Sequence, residues 1–297
     1  MKYNLVIGWL YPDLMSTYGD RGNIICLTKR CQWRGITVEV KEIGLETDSQ
    51  ELLDCDLLFM GGAQDRQQKL AGEDLRKNKG PVMKEMMEAG IPALFVCAAY
   101  QFMGHYYRPA EGKDIPGLGI FDLCTVHPGS DKPRCIGNIA IRLNSSLCHP
   151  EPFGHSEQSE ESQGKLREGS HLRFFGLRSQ NDMEKLLLVG FENHGGRTYL
   201  GKGMKPLGEV VVGYGNNGDQ PSEALAKDGD KTEGAVYKNA FGTYLHGPIL
   251  PKNPHFADFL LKLVLEKKYG AIKLHPLDDS LEWVAHKTIA RRLGVNI

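Results

Sequence analysis

Apolar residues in the first hundred positions fall into short blocks, separated by turn residues and by stretches with helical spacing. Tyr3–Trp9 is a nearly continuous apolar run and predicts a strand. In Asp20–Arg34 the apolar residues Ile24, Ile25, Leu27 and Cys31 suit one face of a helix. Ile36–Ile43 alternates through Thr-Val-Glu-Val, as a strand with one solvated face does. Asp56–Met60 is a short apolar run closed by Gly61-Gly62. Arg66–Lys77 and Val82–Ala89 read as helices, the second ending at Gly90, and Pro92–Val96 is a further apolar run that delivers Cys97. Strand and helix in turn predict an α/β fold with a mostly parallel sheet and crossover helices on both faces. Ligands of such sheets sit at the carboxyl ends of the strands, and two of those ends carry Gly61-Gly62 and Cys97.

The second half is richer in strand pattern. Phe121–Val126, Asn138–Leu143, Leu186–Phe191, Glu209–Gly213, Ala235–Tyr237 and Phe241–Leu245 are strand candidates. Helical spacing returns at Pro254–Lys267 and Leu281–Arg292, which suggests a C-terminal helical extension over residues 254–297. Residues 145–184 include GHSEQSEESQGKLREGSH, which is polar and nearly free of large apolar groups. This composition is that of a mobile surface insertion, and His149, His155 and His171, in or beside it, are expected to be solvated. No internal repeat is present.

Composition narrows the function classes. A chain of 297 residues can bury a sizeable core. Its net charge of −1 predicts no general attraction to nucleic acid or to a membrane surface. The seven cysteines are odd in number, scattered, and form no C-x-x-C pair, which argues against a disulfide framework or zinc site and for a reducing cytoplasm. The apolar run near the N-terminus soon meets Pro12 and Asp13, too early for a signal peptide. No stretch approaches the roughly 20 apolar residues of a membrane span.

Cys97 is the leading candidate for chemistry. A nucleophile at the end of a strand, followed at once by a helix, forms a sharp turn that crowds the backbone and demands small neighbours. Ala98, Ala99 and the helical run Tyr100–Tyr107 suit it, and a helix N-terminus favours the reactive thiolate. The competing reading is a buried structural cysteine, because the glycines usual two positions before and after such a nucleophile are Phe95 and Ala99 here. An oxyanion at Cys97 would need two backbone donors. Ala98 offers one, and Gly62, in the glycine turn of the adjacent strand, most naturally offers the other. A thiol also needs a base. Of ten histidines, His194 in FENHGGRT and His246 in GTYLHGP both follow strand-like runs and precede glycine. His105 is expected on the helix after the turn. Chemistry does not choose between His194 and His246.

The ordered segments GGAQDRQQ, VCAAYQFMG, GFENHGGRTYLGKG and GTYLHGPILPKN, with STYGDRGNIICLTKR and GLGIFDL, closely resemble the CobB/CobQ-type class I glutamine amidotransferases. More narrowly they resemble the GatD-type glutaminase subunit of lipid II isoglutaminyl synthase. The likeness runs from about Tyr3 to about Asn253, apart from the insertion. It implies the three-layer fold of that family, with Cys97 as nucleophile and His246 as general base, and it leaves His194 to shape the pocket. The RCIGNI stretch matches the family's glutamine-contacting element, which implies that Arg134 binds substrate. Two departures stand out: the family's C-G-G is Cys97-Ala98-Ala99, and the position where sister families place a triad carboxylate, two residues after the histidine, is Pro248. Glu192, an aspartate of the first half or a partner subunit would have to orient the imidazole, and the partner is the favoured expectation.

By the same resemblance the substrate is L-glutamine, and the product ammonia needs a consumer. The chain has no G-x-x-x-x-G-K-[ST] phosphate loop, and it begins directly with the glutaminase rather than with an ATP-binding domain. It is therefore expected to need no cofactor of its own. ATP and Mg would sit on a separate MurT-type, Mur ligase-like synthetase that amidates the D-glutamate α-carboxylate of lipid II, with the two chains forming a cytoplasmic heterodimer. The alternatives are a glutaminase serving another synthetase, such as one in corrinoid amidation, and a non-catalytic scaffold of the same fold.

Overall fold

The computed structural model describes residues 3–144, 186–218 and 231–297. The polar stretch 145–184 and the three histidines in or beside it lie outside these residues. In chain order the first half forms β1 (Asn4–Leu10), α1 (Arg21–Gln32), β2 (Thr37–Ile43), β3 (Leu57–Met60), α2 (Asp65–Asp74), α3 (Gly80–Glu88), β4 (Ala93–Val96) and α4 (Ala98–Met103). It continues with β5 (Tyr106–Arg108), β6 (Ile115–Pro116), β7 (Leu123–Val126) and β8 (Cys135–Leu143). The second half adds β9 (Leu187–His194), β10 (Arg197–Leu200), β11 (Gly208–Val212), β12 (Thr232–Glu233), β13 (Ala235–Tyr237), β14 (Ala240–Thr243), α5 (Pro254–Tyr269) and α6 (Ser280–Arg292).

Six strands make the central sheet in the order β13-β14-β4-β3-β1-β2. All neighbours pair in parallel except β13 with β14. Every residue of β3, β4 and β14 is buried, so both faces of the sheet are covered, as a parallel sheet requires. The remaining strands build two four-stranded sheets, β10-β7-β5-β6 and β12-β11-β8-β9. Among the described residues one hydrophobic cluster runs from Leu5 to Leu265 and includes all the central strands.

Two local readings change. The two helices expected over 66–77 and 82–89 are one irregular rod, in which α2 passes through a wide π turn, Leu75–Lys79, into α3. Pro81 explains the wide turn: proline lacks the N–H that a regular helix needs and its ring clashes with the preceding turn. The helix after Cys97 stops at Met103, and Tyr106 and Tyr107 are already strand. His105 is therefore not on that helix; it is exposed and bonded to Asp122 at 2.9 Å. The helices expected after residue 253 form as α5 and α6, and α5 packs into the core. Phe256, Phe259, Leu260 and Val264 join the main core. The buried Arg30 of α1 reaches Asp258 of α5 at 2.7 Å and Asp279, just before α6, at 2.6 Å.

Candidate active site

The carboxyl ends of β3, β4 and β14 converge with the loop that leaves β1. Cys97 ends β4 with φ 56° and ψ −108°, a backbone conformation that costs a non-glycine residue of order 1–3 kcal/mol. Its surroundings hold it there: its N–H donates to the Thr243 carbonyl at 2.8 Å, and its carbonyl accepts from Gln101 N–H at 3.0 Å. Ala98 and Ala99 are completely buried behind it. The Ala98 N–H lies in the first turn of α4, where the helix provides no acceptor for it.

His246 follows β14 and is completely buried. Its backbone is tied to Phe191 of β9 in both directions, at 2.7 and 3.2 Å. A methyl group on Gly62 would lie 2.8 Å from His246 Cε1 and 3.2 Å from Cys97 Cβ. The imidazole and the thiol-bearing carbon thus flank one glycine at the end of β3. Burial works against a charge on His246. The Cys97 thiolate and the Asp20 carboxylate outweigh that effect and push the imidazole up to about 10. The arrangement suits an imidazolium–thiolate pair, the reactive state of a cysteine nucleophile.

The carboxylate beside the imidazole comes from this chain. Asp20 Oδ1 is 3.4 Å from His246 Nδ1, and both side chains are completely buried. Among the sources named from the sequence, this is the aspartate of the first half. Glu192, the other candidate named from the sequence, is occupied elsewhere and accepts from the Tyr214 and Gly215 N–H groups at 2.7 and 3.0 Å. The physical reason is the path of the β1–α1 loop, which crosses the carboxyl edge of the sheet and sets Asp20 against both β3 and His246.

Gly62 also needs correction. Its N–H donates to Asp20 Oδ2 at 2.7 Å, and its carbonyl accepts from Thr17 N–H at 3.1 Å. The donor expected to face an oxyanion is taken up by the β1–α1 loop. The Ala63 residue that follows lines the cavity.

That cavity, about 430 Å³, is bordered by Cys97, His246, Gln101, Tyr18, Arg134 and His194 among others, and its size suits a free amino acid. Arg134 stands at its rim, donating from Nε to Asn193 Oδ1 at 3.0 Å and from Nη2 to the Asn193 carbonyl at 3.2 Å. Asn193 in turn donates to the Tyr18 hydroxyl at 2.7 Å. The Tyr18 ring meets the His246 ring edge-on at 5.1 Å.

His194 forms a wall. It stacks flat on Tyr244 at 3.7 Å and donates from Nδ1 to the Gly196 carbonyl at 2.8 Å. Burial, opposed by Glu192, holds its pKa below the ordinary histidine range and keeps the ring neutral. The Tyr244 hydroxyl bonds Thr198 at 2.6 Å and accepts from Gln101 at 3.1 Å. Beneath them Glu233 is buried and accepts from Tyr244 N–H at 2.6 Å, while burial pushes its carboxyl up to about 8. Tyr18, Asp20, Gln101 and Asn193 were not singled out from the sequence. Asp20 precedes a helix and reads there as an ordinary N-cap, and the others carry no pattern of their own.

The CobB/CobQ-like glutamine amidotransferase domain matches residues 6–254. The chain belongs to this family. Two relatives span nearly all of it. One, 37% identical over 290 residues (98% of this chain and 96% of the relative), is the GatD subunit of a glutamine-hydrolysing lipid II isoglutaminyl synthase from Staphylococcus aureus. The other, 35% identical over 94% of this chain and 88% of the relative, is the subunit of the same name from Streptococcus pneumoniae. A cobyric acid synthase from Pelotomaculum thermopropionicum is 28% identical over 53% of this chain, but the match covers 23% of that enzyme. This member of the CobB/CobQ-like family therefore aligns end to end with the GatD subunits and with only a fraction of the corrinoid enzyme.

Proposed function

We propose that this chain is the glutaminase subunit of a lipid II isoglutaminyl synthase. The observation that carries the reading is the meeting of Cys97 and His246 around Gly62, under a cavity rimmed by Arg134. The near full-length similarity to two GatD subunits supports it and weighs against corrinoid amidation. The strained backbone at Cys97 and the raised pKa of the His246 imidazole beside it weigh against a scaffold that has lost turnover.

In this reading the Arg134 fork, a planar donor suited to a carboxylate, exchanges Asn193 for the α-carboxylate of L-glutamine. The Cys97 sulfur attacks the side-chain amide carbon, and its C–O bond opens to an oxyanion facing the Ala98 N–H. The oxyanion collapses, the C–N bond breaks, and ammonia leaves with the proton held on His246. Water, deprotonated by His246, then cleaves the γ-glutamyl thioester to glutamate and restores the thiol. The ammonia passes to a MurT-type, Mur ligase-like synthetase that carries ATP and Mg and activates the D-glutamate α-carboxylate of lipid II. No helix among the described residues is long and apolar enough to cross a membrane, and the assembly works on the cytoplasmic side as a heterodimer.

The test is glutamine hydrolysis by the chain purified with its synthetase. Wild type should release glutamate and Cys97→Ala should not. Turnover by Cys97→Ala, or co-purification of a corrinoid synthetase in place of a Mur-type ligase, would overturn the reading.

A further inference from the structure

Asp20 stands immediately before α1, at the position from which an aspartate ordinarily accepts the free N–H groups of its own helix. It makes no such bond. A side-chain cap there stabilises a helix by about 1 kcal/mol, so the carboxylate forgoes a local gain and is buried instead. Its two oxygens divide between the walls of the active site: Oδ2 accepts the Gly62 N–H at 2.7 Å, and Oδ1 faces His246 Nδ1 at 3.4 Å. The two glycines that end β3 make room for it. A methyl on Gly61 would lie 2.8 Å from Asp20 Oδ2, and one on Gly62 would lie 3.5 Å from the same atom. Thr17, in the same loop, holds the Gly62 carbonyl, and Tyr18 covers the other side of the imidazole. The segment Thr17–Asp20 therefore wraps both the base and the glycine between base and thiol.

We propose that Asp20 is a positioning residue of the glutaminase, whose carboxylate fixes the tautomer and orientation of His246 and locks the Gly62 turn beside Cys97. This rests on the glutaminase reading above, and it removes the need for a partner to supply the orienting carboxylate. With an acceptor at Nδ1, the neutral imidazole carries its proton there and keeps Nε2 open to accept another from the thiol. Once His246 is protonated, the adjacent negative charge stabilises the imidazolium and so the thiolate opposite it. Among the described residues, the other charged or titratable groups around His246 are few. Cys97 faces it from β4 and Tyr18 from the same loop as Asp20. Glu233 acts on it from β12. Lys252 Nζ would lie 3.2 Å from a methyl on the adjoining Gly247. Glu192, on β9, is turned to the Tyr214 and Gly215 N–H groups. Of the carboxylates among these, Asp20 is the one within hydrogen-bonding reach of the ring.

The decisive variant is Asp20→Asn. The amide keeps the size of the side chain and can still accept from Gly62 N–H, but it turns an N–H₂ donor toward His246 Nδ1. That drives the ring proton to Nε2, where it blocks acceptance of the thiol proton. The first readout is the pH profile of Cys97 alkylation by iodoacetamide, followed by intact mass on the full chain with Cys97→Ala as background. The second is kcat and KM for glutamine in the chain purified with its synthetase, and the third is the melting temperature. We expect the alkylation midpoint to move upward by about one pH unit or more. We expect kcat to fall on the order of 10²- to 10⁴-fold, with KM within about threefold of wild type. An unchanged midpoint with kcat within about threefold of wild type would overturn the assignment. So would a lowered melting temperature with an unmoved midpoint, which would make Asp20 purely structural. The alkylation profile needs no glutamine turnover. Failure of the glutaminase reading itself would appear separately, as inactivity of the wild-type complex.

Discussion

Replacing Gly62 with alanine adds a single methyl group between His246 and Cys97. Its φ is not in the left-handed region, so the backbone tolerates a side chain, and the effect is one of space. The methyl would sit 2.8 Å from His246 Cε1, 3.2 Å from Cys97 Cβ and 3.5 Å from Asp20 Oδ2. Carbon atoms at rest lie about 3.5–4.0 Å apart, so the imidazole or the thiol must retreat by about 0.7 Å or more. The imidazole cannot simply rotate away. It is completely buried, with Asp20 at Nδ1 and Tyr18 against its edge. Cys97 is pinned by its bonds to Thr243 and Gln101. Overpacking of this kind costs about 1–3 kcal/mol of stability, a loss of several degrees in melting temperature for a chain of this size. A displacement near 1 Å between reacting groups costs about 10²-fold in rate. Glutamate release by Gly62→Ala with its synthetase should therefore fall by about two orders of magnitude while the chain remains folded at 25 °C. Gly8→Ala is the matched control. Its methyl would meet Cys55 Sγ at 2.7 Å and Leu58 Cδ2 at 2.9 Å inside the central sheet, so it should lower the melting temperature comparably and leave kcat intact. A Gly62→Ala enzyme with kcat within threefold of wild type would show that Cys97 and His246 do not act across this glycine.

Further predictions concern strain, substrate and pH. Cys97→Gly and Cys97→Ala both remove the thiol, but glycine reaches φ 56° without strain; the glycine variant should melt higher, by the equivalent of about 1 kcal/mol, and equal melting temperatures would refute a strained elbow. Arg134→Ala should raise KM for glutamine by about 10- to 100-fold, the loss of a charge-assisted hydrogen bond, with a smaller effect on kcat; an unchanged KM in steady-state assays would remove Arg134 from substrate binding. Burial raises the Glu233 carboxyl to about 8, so the folded chain retains a proton that the unfolded chain releases. The resulting stability is complete below the ordinary glutamate range and is lost as pH rises toward about 8. Glu233→Gln, which can still accept from Tyr244 N–H, should gain in melting temperature relative to wild type as pH rises from 5 to 8, and parallel melting curves would contradict a protonated Glu233.

The order of strands and helices was legible because hydrophobic periodicity is a local property. Leu57–Met60 and Ala93–Val96 announce buried parallel strands by unbroken apolar runs, and Thr37–Ile43 shows its solvated face by alternation. The strand-to-helix turn at Cys97 was legible for a steric reason, since Ala98 and Ala99 are what so sharp a turn needs behind the cysteine. Small strands such as Tyr106–Arg108 and Arg197–Leu200 were not, because their pairing depends on partners distant in sequence. His246 could be chosen over His194 by resemblance, whereas the structure separates them by environment: one beside the Asp20 carboxylate and Cys97, the other stacked neutral on Tyr244.

From the linear chain come the element sequence, the elbow cysteine and the small residues around it, because each follows from spacing and size among neighbours. Which carboxylate stands behind the imidazole, and where the Gly62 N–H points, belong to the folded state. Asp20 and His246 lie 226 positions apart and meet because the β1–α1 loop and the end of β14 arrive at the same edge of one twisted sheet. A hydrogen bond reaches only about 3 Å, so no pattern along the chain encodes it until packing brings the two segments together.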